Sequence, residues 1–111
     1  MDVETNPSSG CSWNTYNFTS NCDFLDETVN RIKYYNRRVG IYTTGYFWDK
    51  IFGNRLACPK VSSALLWYAK YDNSPSFADF TQIGGWTTPD MKQYAGDVQI
   101  CSVDSDKNYK P

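Results

Sequence analysis

Two carboxylates stand one residue apart at Asp2 and Glu4, in the β-compatible run Met1-Asp2-Val3-Glu4. On a strand, residues i and i+2 project from the same face, so the pair would stand side by side. Such a pair suits hydrolysis of a glycosidic bond, with one carboxyl held protonated as an acid and the other kept charged. An Asp-x-Glu is also a common solvated charge pair, so the spacing needs support from the rest of the chain. Glutamate is scarce: only Glu4 and Glu27 occur. Glu27 falls in a helical pattern among polar neighbours, which leaves Glu4 as the better candidate for proton transfer. Histidine is absent. That excludes Ser-His-Asp and Cys-His catalysis and removes the commonest metal ligand.

The composition bounds the setting for this chemistry. A chain of 111 residues is one domain or a piece of one. Nine Tyr, six Phe and four Trp are many for that length. Some must be core, and amphipathic Tyr and Trp in such numbers also suit a groove that stacks on sugar rings. Net charge is −1 and no basic tract exceeds Arg37-Arg38, so nucleic acid is not the expected partner. The four cysteines, Cys11, Cys22, Cys58 and Cys101, are even in number and widely spaced, which reads as two disulfides and an oxidising compartment. Their spacing lacks CxxC pairs, so neither zinc nor any other metal is expected. Three pairings can be drawn; Cys11–Cys22 with Cys58–Cys101 is favoured because the first closes a short polar loop. A fully reduced cytosolic chain is the competing reading. Asn17-Phe18-Thr19 is an N-glycosylation acceptor, in keeping with secretion. No signal peptide or transmembrane run is visible, so no membrane partner is expected and a secretory route requires residues upstream.

The elements that must position these groups follow from periodicity. Residues 1–4 read as the end of a strand and 5–19 as a turn-rich loop. Ser20 with Asp23 reads as a helix start, and Leu25, Val29, Ile32 and Tyr35 recur at helical spacing, which predicts an amphipathic helix over 21–37. Val39–Thr43 is β-branched and aromatic, hence a strand. Residues 45–52 read as a short helix stopped by Gly53-Asn54. Leu65–Tyr71 is nearly all apolar and reads as a strand buried on both faces. Asp72–Pro75 is a turn, Phe77–Phe80 is ambiguous, and Gly84-Gly85-Trp86 is loop. Met91–Ala95 reads as a strand, with Val98–Cys101 as a further one. Strand, helix, strand, helix, strand is the order of a parallel α/β sheet, and catalytic groups of such folds sit at the C-terminal ends of strands.

Four ordered segments resemble the C-terminal part of the catalytic domain of family-25 glycoside hydrolases, the N-acetylmuramidase-type lysozymes. They are Asp2-Val3-Glu4, Val39-Gly40-Ile41-Tyr42, Leu66-Trp67-Tyr68-Ala69-Lys70-Tyr71-Asp72, and Gly85-Trp86 with Lys92-Gln93-Tyr94. The closing run Val103–Tyr109 fits the family's final Asp-x-Asn strand. The resemblance spans residues 1–111 and implies an irregular (β/α)-barrel, TIM-barrel-like, whose late strands lose their helices. It implies bacterial peptidoglycan as the partner, no cofactor, and a secreted or lysosomal or phagosomal setting. Carried over by position, Glu4 would be the general acid/base. Asp2 would orient and stabilise the 2-acetamido group that attacks the anomeric carbon, and Asp106 would be a further active-site carboxylate, ahead of its rival Asp104. Tyr42, Trp67 and Tyr71 would line the saccharide groove.

The family barrel opens with a strand bearing another essential Asp, followed by three more βα units, and these N-terminal strands are missing here. A (β/α)-barrel takes about 200 residues or more, so the expectation is an incomplete barrel: a truncated gene model, a fragment or a degenerate paralogue. Two disulfides of about 3 kcal/mol each would not fully offset the open edges. Poor stability or self-association through the open sheet edge, with weak activity or none, is therefore expected. Two other readings compete. In one the chain is a sugar-binding module without catalysis, using Tyr42, Trp67, Tyr71 and Trp86; in the other it is a disulfide-stapled structural domain whose aromatics are core.

Overall fold

A computed structural model describes residues 1–5 and 12–111. The first regular element is a 3₁₀ turn, Trp13–Thr15, followed by helix α1, Phe18–Tyr34. Strand β1, Gly40–Thr43, leads into helix α2, Gly45–Phe52. A second 3₁₀ turn, Pro59–Ser63, precedes β2, Leu65–Ala69. After a long loop come β3, Met91–Ile100, and β4, Val103–Tyr109. The sheet runs in the order β1-β2-β3-β4 and is not closed on itself. β1, β2 and β3 are parallel, and β4 returns antiparallel to β3. The expected α/β order, with a strand-rich last third, is what forms.

Residues 1–4 lie along the outer edge of β1. Asp2 forms a parallel bridge with Tyr42, Val3 N donates to Tyr42 O at 2.9 Å, and Tyr42 N donates to Met1 O at 2.8 Å. The buried Thr43 Oγ1 donates to Val3 O at 2.8 Å. These bonds place Val3 on the core side and Asp2 and Glu4 on the other, by strand alternation.

α1 starts three residues before the expected position because Asn17, not Ser20, is the N-cap. Its Oδ1 accepts from Ser20 N at 2.8 Å. The helix ends at Tyr34, with Asn36 in the left-handed region at φ 55°. Leu25 and Val29 are buried and Ile32 is partly so, but Tyr35 is exposed beyond the last turn. Part of the segment expected to be loop is thus helical, and residues 6–11 lie outside the described residues. α2 begins at the Thr44 cap and stops at Gly53, whose φ of 93° glycine adopts without penalty. The core sits between the helices and one sheet face, where Val3, Leu25, Val29, Ile41, Trp48, Ile51, Val61 and Leu66 are buried.

β2 is not buried on both faces as expected. Its burial alternates: Leu66 and Tyr68 face the core, while Leu65 is 45% exposed and Trp67 is half-buried on the opposite face. The run is apolar because that second face lines a cavity rather than a packed layer. Beyond β2 no helix among the described residues covers the sheet. Lys92 of β3, 0% exposed, takes that place with an ion cluster. Its Nζ donates to Asp72 at 2.7 Å and 2.9 Å and to Asp79 at 2.6 Å, and Tyr68 Oη also donates to Asp79, at 3.0 Å. Phe80 and Phe77 pack on Tyr68 beside it.

Neither expected disulfide forms. Cys22 of α1 bonds Cys58, 36 residues on, which rules out both Cys11–Cys22 and Cys58–Cys101. Cys101 is an exposed free thiol at the β3–β4 turn, and Cys11 lies outside the described residues. Sequence proximity misled here: α1 carries Cys22 away from the loop and packs it against the turn before β2. A loop of this length implies stabilisation of about 3–4 kcal/mol. Cys58→Ser is expected to lower the thermal unfolding midpoint of the chain, and reduction of the unsubstituted chain should reproduce the loss. An unchanged midpoint in both would contradict it.

Candidate active site

The sheet face turned away from the helices forms one wall of a cavity of about 700 Å³. Asp2, Glu4, Tyr42, Trp67, Tyr71 and Asp106, the six residues expected at a site, all line it. Each arrives from a different local device. Asp2 and Glu4 project from the segment bonded along β1. Tyr42 and Trp67 are register partners on β1 and β2, and their rings meet edge to face at 4.8 Å. Trp67 Nε1 donates to Asn108 Oδ1 of β4 at 2.9 Å, which fixes the indole. Tyr71 leaves the end of β2 and leans over Gly96, where any Cβ would stand 3.0 Å from the ring Cζ.

Gln93 joins these parts. Its Oε1 accepts from Tyr42 Oη at 2.6 Å and from Tyr71 Oη at 2.9 Å, while its Nε2 donates to Asp106 Oδ2 at 2.7 Å. Asp106 Oδ1 accepts from Asp97 N at 3.2 Å. One buried carboxamide therefore orients two phenols and a carboxylate around the cavity. Sequence reasoning named Gln93 only as part of a motif. Its neighbours in sequence are polar and give no sign that its amide is buried. Asn108, exposed on the polar β4, likewise gives no local sign that it holds Trp67.

Asp104, the rival of Asp106, is exposed and bonds only Gln99. Trp86 is not on the cavity wall. It is 5% exposed, its Nε1 donates to Ala64 O at 2.7 Å, and its ring packs against Trp48. The expectation that Trp86 could stack a saccharide is corrected: it is core. Among the described residues no cluster of three or more Cys, Asp or Glu could hold a metal, and no helix is long and apolar enough to cross a membrane.

The surroundings of the pair act on the Glu4 carboxyl. Glu4 is raised above the ordinary carboxylate range, first by burial, then by hydrogen bonding to Asp2 and by the Asp2 charge. Tyr42 is also raised, by burial, by its contact with Tyr71, and by the nearby Glu4 and Asp2 charges, so its hydroxyl stays a donor. A protonated Glu4 beside Asp2 is the form an acid catalyst requires. The sign of the pH dependence follows. Any cleavage that uses Glu4 as acid should fall as pH rises through its elevated pKa, and a pH–rate profile should place that limb above the usual glutamate value of about 4.3. A profile without a descending limb in that region would contradict it.

The site is an open α/β sheet with an acidic pair and aromatic rings on one cavity, and comparison with known proteins bears on it directly. A family model described as lysozyme-like protein 1 matches residues 2–94. Probable GH family 25 lysozyme 2 of Dictyostelium discoideum is 36% identical over 93 residues, covering 84% of this chain and 42% of the relative. Counting factor 45-1 of the same organism is 41% identical over 91 residues, covering 80% and 29%. The muramidase from Acremonium alcalophilum superposes with a TM-score of 0.74 at 25% identity, over 99% of this chain and 49% of that one. The lysozyme from Streptomyces coelicolor gives 0.75 at 25% identity, over 98% and 48%. The chain belongs to the family-25 lysozymes, a family of glycoside hydrolases. It spans less than half the length of these relatives.

Proposed function

We propose that the site cleaves the β-1,4 bond between N-acetylmuramic acid and N-acetylglucosamine of bacterial peptidoglycan. The observation that carries this is Glu4, raised in pKa beside Asp2, on the same cavity as the Tyr42–Trp67 wall. Glu4 donates a proton to the glycosidic oxygen and afterwards, as a base, takes one from water. Asp2 orients the substrate's 2-acetamido group and balances the charge that develops as its oxygen attacks the anomeric carbon. This neighbouring-group course departs from the usual enzyme nucleophile. Asp106, held by Gln93, completes the polar end, and Tyr42, Trp67 and Tyr71 receive the sugar faces. The Cys22–Cys58 disulfide supports a secreted or lysosomal setting.

Cleavage by the chain alone is slow in this reading. Leu65 and Met1 are 45% and 39% exposed on the cavity side, so the described residues wall the groove on one side and water reaches the reacting centre. The same open edge favours self-association at high concentration. The test is digestion of purified bacterial cell walls by the chain, with borohydride reduction of the products. New reducing ends on N-acetylmuramic acid are expected, released much more slowly than by the Acremonium muramidase. Ends on N-acetylglucosamine would overturn the bond assigned, and an equal rate would overturn the impairment. The non-catalytic reading draws on the same aromatic wall, which stands independently of the carboxylates. Muropeptide binding without any new reducing ends would favour it.

A further inference from the structure

We propose that Asn17 is an N-glycosylation site whose glycan is attached without loss of the helix cap the same side chain provides. Asn17-Phe18-Thr19 has the acceptor pattern, and the pattern lies where it can be used. Asn17 and Thr19 are exposed, and the Asn17 backbone is extended, with φ −76° and ψ 164°. The carboxamide is divided between two tasks. Oδ1 accepts from Ser20 N at 2.8 Å and caps α1, while Nδ2 makes no bond to any of the described residues. In the transfer, Nδ2 attacks C1 of the first sugar of a lipid-diphosphate-linked oligosaccharide. The N–C1 bond forms, the C1–O bond to the diphosphate breaks, the lipid diphosphate leaves with the electron pair, and Nδ2 loses one proton to base. The carbonyl oxygen takes no part, so the cap to Ser20 N survives.

Two surroundings agree with the assignment. Tyr16 and Phe18, on either side of Asn17, are 69% and 54% exposed. The apolar C–H faces of a first sugar would cover aromatic surface that the fold leaves in water. None of residues 12–20 lines the cavity that holds Asp2 and Glu4, so a glycan here leaves that cavity open. The Cys22–Cys58 disulfide calls for an oxidising compartment, which is also where such a transfer takes place.

The test directs the full chain into the secretory pathway of a eukaryotic cell behind a cleavable leader, and reads the secreted product by intact mass. A discrete upward mass shift is expected, removed by an amidase that cleaves N-glycans and converts Asn17 to aspartate. Thr19→Ala should abolish the shift without touching the cap, and Thr19→Ser should keep it. Asn17→Asp should abolish it while holding the thermal midpoint, because aspartate caps as well as asparagine. The glycosylated and deglycosylated chains should melt within a degree or so of each other. An unshifted mass, in cells that glycosylate a co-expressed control protein, would overturn the site. A midpoint lowered by the glycan would overturn the claim that the cap is kept.

Discussion

Glu4→Gln is expected to lower the rate of glycan cleavage by about 10²–10⁴-fold, the range for loss of a positioned general acid. The substitution is nearly isosteric, and among the described residues the Glu4 side chain ties down no other element, so the chain should remain folded. The amide cannot deliver the proton, however, and the burial that raises the Glu4 pKa serves no purpose in it. The loss should therefore appear in kcat, with KM nearly unchanged, because the saccharide contacts of Tyr42, Trp67 and Tyr71 remain. The descending limb of the pH profile should vanish with the rate. Initial rates of reducing-end release from muropeptides would show this, and a change of less than about threefold would remove Glu4 from the role. The raised pKa also has a consequence for stability. A carboxyl whose folded value lies above its unfolded one makes the fold less stable as pH rises from the unfolded to the folded value. Relief of that cost in Glu4→Gln would appear as a small gain in thermal midpoint at neutral pH, characteristic of a site that is tuned for chemistry rather than for the fold.

Lys92→Met should have the largest effect on the fold itself. Lys92 is fully buried and its ammonium serves Asp72 and Asp79 together. Without Lys92, Asp79 keeps the 3.5 Å ion pair to Lys70 and the hydrogen bond from Tyr68, and Asp72 is exposed to water, so the cost stays below the roughly 3–5 kcal/mol of a fully buried pair. In a domain of this size each kcal/mol lowers the thermal midpoint by about 4–8 °C, and a drop of several degrees is expected. Adding Asp72→Asn and Asp79→Asn to Lys92→Met should recover much of the loss, because the charge then left without its partner is that of Lys70, which is exposed to water. The pH dependence has a definite sign at both ends. Hydrogen bonding to Lys92 lowers Asp72, and in Asp79 the bonds to Lys92 and Tyr68 outweigh a burial that would raise it. Their contribution is present above the unfolded carboxylate value and is lost as pH falls through the lowered folded values. For Lys92, burial alone would lower the pKa, but bonds to the two carboxylates raise it. Its contribution is present below the unfolded lysine value and is lost as pH rises through the folded one. Melting curves from acid to alkaline pH should show both flanks in the unsubstituted chain and lose them in the triple variant. A Lys92→Met chain that melts within about 2 °C of the original would show that the cluster contributes little.

Much of the fold was legible because local signals agreed with it. Residues 45–52 form the helix read for them, with a threonine cap before and a glycine stop after. The β1 segment lies where its β-branched and aromatic residues predict it, and the closing strand lies where the family resemblance implies it. The two strands read at Met91–Ala95 and Val98–Cys101 are one, β3, ending at Ile100 and interrupted only by shifts in its pairing with β4. The errors fell where a local rule competed with a distant partner. Asn17 was read for its sequon and not as a cap, so α1 was started too late. The run 65–71 was read as doubly buried because composition cannot distinguish a face that meets a core from one that meets a cavity. Cys22 and Cys58 were separated because loop length was weighed without the helix that brings them together.

The acidic pair was visible from alternation alone, since period 2 is a property of any strand. The resemblance carried by the ordered segments proved right at the level of the family. What residue order could not supply was the hub at Gln93. Three side chains, as far as 51 residues from it in sequence, meet on its amide, and only strand register brings them within reach. The same holds for Lys92, which in sequence is one more surface-type cation. Its burial follows from β3 lying where no helix among the described residues covers the sheet, so that a cation with two carboxylates closes the layer. Local chain chemistry thus prescribed most of the helices and strands and the shared face of the two carboxylates. Long-range packing chose the disulfide, the core tryptophan and the hydrogen-bond hub, because those depend on distances that neighbours in the chain do not set.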